Sequence, residues 1–213
     1  MTGFGEAGSA SARLRASRAS PGQAQIRHFV TDRRRYNVSV DELVARAVGA
    51  VRAGVDVIQV REPDLADGPL AALVRTVVGV SAGTRTRVLV NDRADIAIAA
   101  GAAGVHLRED SPPASRVRAA FAEAFLIGRS VHSLASVEAA VADGGCDYLL
   151  FGTVFPSSGK PDGHPVAGLD TLREACARSP LPVIAIGGMN ASRAAAVRDA
   201  GAAGYAAVGL FMC

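Results

Sequence analysis

Pro182-Val183-Ile184-Ala185-Ile186-Gly187-Gly188-Met189-Asn190 is a short β-branched apolar run that stops at two glycines. A helical pattern starts near Asn190, and a second apolar run follows over residues 203–210. Strand, Gly-Gly turn, helix, strand is the order that ends a (β/α)8 barrel. There the loops after strands 7 and 8 commonly hold a phosphate on backbone N–H groups. Glycine suits such a turn because a side chain would keep the backbone off the phosphate oxygens. A plain αβ turn reads the same way, so the rest of the chain has to decide.

The same alternation recurs upstream. Apolar runs at 26–31, 55–60, 87–91, 103–107, 125–129 and 148–151 read as strands. Helical spacing runs over 40–53, where Leu43, Val44, Ala47, Val48 and Val51 share a face and Asp41 and Glu42 stand near the start. It recurs over roughly 66–81, 93–100, 134–142 and 169–178, and a further helix is expected after Pro112-Pro113. Eight strands with short βα turns predict a closed parallel sheet, a (β/α)8 TIM barrel forming one domain over residues 26–213. Only three residues follow strand 8, so the last helix is expected to be missing. The flank this exposes favours a homo-oligomer. Residues 1–25, rich in Gly, Ala, Ser and Arg with one acid, read as a disordered extension. An Arg- and Ser-rich, acid-poor start also matches a transit peptide.

Composition narrows the function classes. With 213 residues, 49% of them hydrophobic, the chain has enough apolar surface for one sizeable core. No apolar stretch is long enough to span a bilayer, so no membrane role is expected. A net charge of +3 without a basic block, and 5% aromatic residues, argue against a nucleic-acid surface. Cys146, Cys176 and Cys213 lack metal-ligand spacing, and their odd, scattered count suggests reduced thiols in a cytoplasm. Lys160 is the single lysine among 23 basic residues.

In such barrels the polar residues at the carboxyl ends of strands are the functional candidates. Strand 2 runs into Gln59-Val60-Arg61-Glu62, strand 3 into Asn91-Asp92-Arg93 and strand 4 into His106-Leu107-Arg108-Glu109-Asp110. Strand 5 runs into Arg129-Ser130-Val131-His132-Ser133, and strand 6 into a loop carrying Ser157 and Lys160. Arg61 alone could be an ion-pairing barrel arginine, and His132 alone a core histidine. A rim that gathers Gln, Arg, Asn, Asp, Ser, His and Lys points to a ligand. Gly187, Gly188 and Gly209 then become backbone phosphate contacts, and Arg61 and Asn91 polar walls. Lys160, a flexible point charge, is a clamp for a carboxylate or phosphate.

The ordered series Q-V-R-E, V-N-D-R-A-D-I-A, G-V-H-L, I-G-R-S-V-H-S, D-Y-L-L-F-G-T-V-F-P, A-I-G-G-M and G-A-A-G-Y-A-A-V resembles the thiamine-phosphate synthase and thiazole tautomerase superfamily. The resemblance runs from about Ile26 to Met212. For a synthase it implies joining hydroxymethylpyrimidine diphosphate to a thiazole phosphate with release of pyrophosphate. It also implies a Q-x-R-x-K diphosphate motif and Mg2+ on two aspartates. Gln59 and Arg61 match that motif, but Pro63 stands at the lysine position and can donate neither charge nor hydrogen bond. Asp92 matches the first magnesium aspartate. The second position is Ser111, with Asp110 one residue early. Ser130 and Lys160 match binding positions; Ser157 keeps a hydroxyl that Gly159 loses.

The tautomerase aromatises a carboxythiazole phosphate by moving a proton, with no cofactor. Its signature histidine lies in G-R-S-V-H-S, present verbatim, which gives His132 the role of proton shuttle. Imidazole suits that role because both its forms are populated near neutrality. The sequence reading therefore favours the tautomerase, an isomerase. The synthase, a transferase, is the alternative, and a barrel that only binds thiazole phosphate is a third.

Overall fold

The computed structural model describes residues 14–15, 24–157, 161 and 163–212. Eight parallel strands follow one another round a closed barrel in chain order. They are β1 (Ile26–Val30), β2 (Val57–Val60), β3 (Arg87–Asn91), β4 (Gly104–Leu107), β5 (Leu126–Val131), β6 (Tyr148–Phe151), β7 (Val183–Ile186) and β8 (Gly204–Ala207). The helices between them are α1 (Val40–Arg52), α2 (Asp67–Ser81), α3 (Ala94–Ala99), α4 (Ala114–Ala120), α5 (Leu134–Asp143), α6 (Gly168–Arg178) and α7 (Ala194–Asp199), with a single turn, α8 (Gly209–Met212), after β8.

Local chemistry sets the boundaries. Ser39 and Glu42 form a reciprocal capping box at the start of α1, with Glu42 N–H on Ser39 Oγ at 3.2 Å and Ser39 N–H on Glu42 Oε2 at 2.7 Å. Gly54, at φ 72°, turns the chain out of it. β5 runs two residues beyond the expected Arg129, because Ser130 and Val131 pair with Leu150 and Phe151 of β6. The last strand is shorter than expected: it ends at Ala207, and Gly209 begins the helical turn. That turn covers part of the flank the sequence left open, with Phe211 against Phe29 at 5.4 Å between ring centroids and Met212 buried.

Inside the barrel, Ile26, Val57, Leu89, Leu126, Tyr148 and Ile184 fill one apolar cluster. Most of residues 1–25 lie outside the described set. Of that stretch, Leu14 is fully buried in this same cluster. Arg15 beside it pairs with Asp147 at 3.2 Å. Asp147 also accepts from Arg118 and from Ile127 N–H, each at 2.7 Å. On the same amino-terminal face, Asp56 accepts from Arg27 N–H at 2.9 Å and pairs with Arg85 at 2.8 Å. Among the described residues no helix is long and apolar enough to cross a membrane.

Candidate functional site

The carboxyl rim surrounds a cavity of about 1160 Å³. Gln59, Arg61, Asn91, Asp110, Ser130, His132, Ser157, Gly187, Gly188 and Gly209 all line it, so the structure brings together nearly every residue singled out in the sequence. Asp92 is not on the lining but pairs with Arg108, which is. Lys160 and Gly159 lie outside the described residues.

The β2–β3 edge is a hydrogen-bonded pair. Gln59, 2% exposed, donates from Nε2 to Asn91 Oδ1 at 3.1 Å. This spends the Asn91 carbonyl and leaves its amide as the group to donate onward. Arg61 donates its backbone N–H to Thr31 Oγ1 at 2.9 Å and keeps a partly exposed guanidinium 3.9 Å from Asp32. Glu62 is buried and binds Arg33, fastening the β1–α1 loop over the end of β2. Burial raises the Glu62 carboxyl, against smaller downward effects of Thr31 and Arg33.

The β7–β8 edge depends on glycine for a reason the sequence did not give. Gly187 and Gly188 have φ of 103° and 61°. A Cβ on Gly187 would lie 2.5 Å from Thr153 Cγ2, and one on Gly188 2.4 Å from the Pro156 carbonyl oxygen. The β6–α6 loop, rather than a ligand, is therefore what forbids side chains here. Both carbonyls face the protein: Gly187 O accepts from Phe155 N–H at 3.2 Å, and Gly188 O accepts from Arg193, whose guanidinium stacks 4.6 Å from the Phe155 ring. Gly209 is less confined: its Cβ would come within 2.5 Å of the Tyr36 hydroxyl, the end of a side chain that can swing away.

At the β3–β4 edge Asp92 adopts φ 62°, unusual without glycine. Ser111 donates its hydroxyl to Asp92 Oδ1. Arg108 Nε lies 3.4 Å from Asp92 Oδ2 and 3.1 Å from Asp110 Oδ1, so one guanidinium sits between two carboxylates. Among the described residues no three His, Cys, Asp or Glu side chains are arranged to hold a metal. Arg129 braces this loop by donating to the carbonyls of Pro112, Glu109 and Ser111 at 2.9, 2.8 and 3.0 Å. Ser130, next in the chain, meets His106 Nε2 at 2.9 Å. His132 has its Nδ1 2.5 Å from the Gly152 carbonyl. A carbonyl only accepts, so Nδ1 carries the proton and neutral His132 has Nε2 as its acceptor.

Three polar wall residues of the β1–α1 loop, Asp32, Arg35 and Tyr36, escaped the sequence reading. Asp32 directly follows the apolar run of the first strand, where the rule applied to the other strand ends would have found it; Arg35 and Tyr36 lie deeper in the loop, beyond the reach of that rule.

The thiamine monophosphate synthase family profile matches residues 27–211. This chain belongs to that family. It is 41% identical over 160 residues to the thiamine-phosphate synthase of Anaeromyxobacter dehalogenans, covering 75% of this chain and 71% of the relative. It is 34% identical over 189 residues to that of Roseiflexus sp., covering 88% and 78%. The solved thiamine phosphate pyrophosphorylase of Pyrococcus furiosus superposes with a TM-score of 0.75 at 30% identity, over 88% of this chain and 87% of the other.

These names overturn the tautomerase reading, and with it the isomerase class. The G-R-S-V-H-S segment that carried that reading does not separate two enzymes on one barrel. Gly128 makes room for Tyr148, Arg129 braces the β4–α4 loop and Ser130 meets His106. Those are duties of the fold and the shared pocket.

Proposed function

We propose that this family member is a thiamine-phosphate synthase, a transferase that joins hydroxymethylpyrimidine diphosphate to a thiazole phosphate and releases pyrophosphate. The observation that carries the reading is the pairing of two different anion-holding edges in one cavity. The β2–β3 edge offers side-chain donors, Arg61 and Asn91, and the β7–β8 edge offers a glycine-built turn and Gly209. Single small ligands occupy cavities of about 300–1,000 Å³. About 1160 Å³ accommodates two phosphorylated heterocycles side by side.

The residues divide the work. Arg61 and Asn91 hold the diphosphate, and Ser130 and Ser157 add hydroxyl donors. Arg35 brings a guanidinium to the cavity wall, and the sequence carries Pro63 at the lysine position of the motif. Gly187, Gly188 and Gly209 give backbone N–H groups to the thiazole phosphate. His132 offers Nε2 as an acceptor on the wall and relays no proton. Holding both substrates in one cavity turns a two-molecule reaction into a local one. The bond from the pyrimidine methylene to the diphosphate breaks as the bond to the thiazole forms, and pyrophosphate leaves.

Asp92 and Asp110 fit a cation, since they already share the Arg108 guanidinium. Mg2+ is commonly held by one or two carboxylates together with substrate phosphates. Bound there, it would neutralise charge on the departing pyrophosphate. Asp92 would anchor it and Asp110 would complete the pair from the rim, with the Arg108 guanidinium displaced from between them.

Purified protein with both substrates and Mg2+ should release pyrophosphate, and EDTA should abolish the release. Absence of pyrophosphate with both substrates present would rule the synthase out.

A further inference from the structure

The barrel interior holds a buried polar pair, His106 and Tyr148, that none of the roles above uses. His106, Gly128 and Tyr148 lie at one level on neighbouring strands, His106 paired with Gly128 and Gly128 with Tyr148. A Cβ on Gly128 would sit 2.1 Å from Tyr148 Cζ, so glycine is what lets the phenol ring cross β5. Its hydroxyl reaches His106 Nδ1 at 2.9 Å, and His106 Nε2 reaches Ser130 Oγ at 2.9 Å. His106 and Tyr148 are 1% and 0% exposed, whereas Ser130 lines the cavity.

The direction of the chain follows from what each group can donate. The Tyr148 hydroxyl has one hydrogen-bond partner among the described residues, His106 Nδ1. His28 edges both rings at 6.2 and 6.0 Å, but among the described residues no hydrogen bond joins it to His106 or Tyr148. If Nδ1 carried the proton, the tyrosine O–H would be buried with nothing to receive it. That penalty favours the other tautomer by about ten- to a hundredfold. Burial also lowers His106 well below its ordinary value, which keeps the ring neutral, so it has one N–H to give. Tyr148 therefore donates to Nδ1, and Nε2–H donates to Ser130 Oγ. The serine oxygen accepts from beneath, and its own proton is released toward the cavity.

We infer that Tyr148 and His106 are positioning residues that fix Ser130 as a hydrogen-bond donor to an anionic group of the substrate. Without the relay Ser130 could equally turn its proton inward to the imidazole and present a lone pair, which repels an anion. The inference rests on the synthase reading only for the identity of that anion, the diphosphate.

The tautomer is read directly by 15N NMR of histidine-labelled full-length protein, with His106→Asn assigning the signal. The expected spectrum shows protonated Nε2 and bare Nδ1 at His106. Tyr148→Phe, which keeps the ring, should move the proton at least partly to Nδ1. It should also weaken binding of inorganic pyrophosphate with Mg2+ about tenfold, the same loss expected of Ser130→Ala, with no further loss in the double variant. Protonated Nδ1 in the unaltered protein overturns the inference without reference to activity, even if Tyr148→Phe fails to fold. So does a folded Tyr148→Phe that binds pyrophosphate normally. The synthase reading falls separately, on absence of pyrophosphate release.

Discussion

Arg35 and Arg61 show how function divides between strand ends and loops. Arg61 leaves the end of β2 and was visible in the sequence, because a polar residue directly after an apolar run marks the rim. Arg35 stands five residues past Val30, where no periodicity places a side chain, and only the folded loop brings it to the wall. Charged hydrogen bonds to a diphosphate contribute about 1.5–3 kcal/mol each. Arg35→Ala and Arg61→Ala should each raise KM for the pyrimidine diphosphate about ten- to a hundredfold, with KM for the thiazole phosphate little changed. Steady-state kinetics with each substrate varied in turn checks this; equal effects on both KM values would contradict the division of the cavity. Gly187 and Gly188 carry the opposite lesson. Their importance was legible, but its cause was not, because the crowding comes from Thr153 and Pro156 on a loop far away in sequence.

At the level of elements, helix and strand types followed closely from periodicity, and their ends depended on partners that no single stretch contains. α4 is an example. It has no capping side chain of its own; Asp143 at the end of α5 accepts from Ala114 N–H at 2.7 Å and from Ser115 Oγ at 2.6 Å. Burial pushes the Asp143 carboxyl up, but the Ser115 and Ala114 donors outweigh it and leave the group below its ordinary value. A carboxyl lowered in the folded state adds stability above its unfolded value, about 3.9, and gives it up as pH falls through the folded value. Asp143→Ala should cost on the order of 1 kcal/mol at neutral pH. The gap to the unaltered protein should close as pH falls below about 4. Urea unfolding at several pH values measures it, and a gap that widens in acid would refute the capping role.

Over the whole molecule, the two ends of the barrel do different work. The amino-terminal end is closed by ion pairs on Asp56 and Asp147 and by Leu14, while the carboxyl end is open and lined with donors. In such barrels the first end concerns stability and the second chemistry. Leu14→Ala should therefore destabilise the fold by about 2–5 kcal/mol in chemical denaturation and leave both KM values unchanged. A KM shift would show that the floor and the mouth are coupled. The family was legible in the sequence because seven motifs fall in order along one barrel. The choice of activity within it was not, since the residues of G-R-S-V-H-S are fixed by packing and bracing contacts. The most direct measurement is the yield of thiamine phosphate and pyrophosphate from equal amounts of the two substrates with Mg2+. A synthase gives the two products one for one, whereas both substrates bound and neither product formed would contradict it.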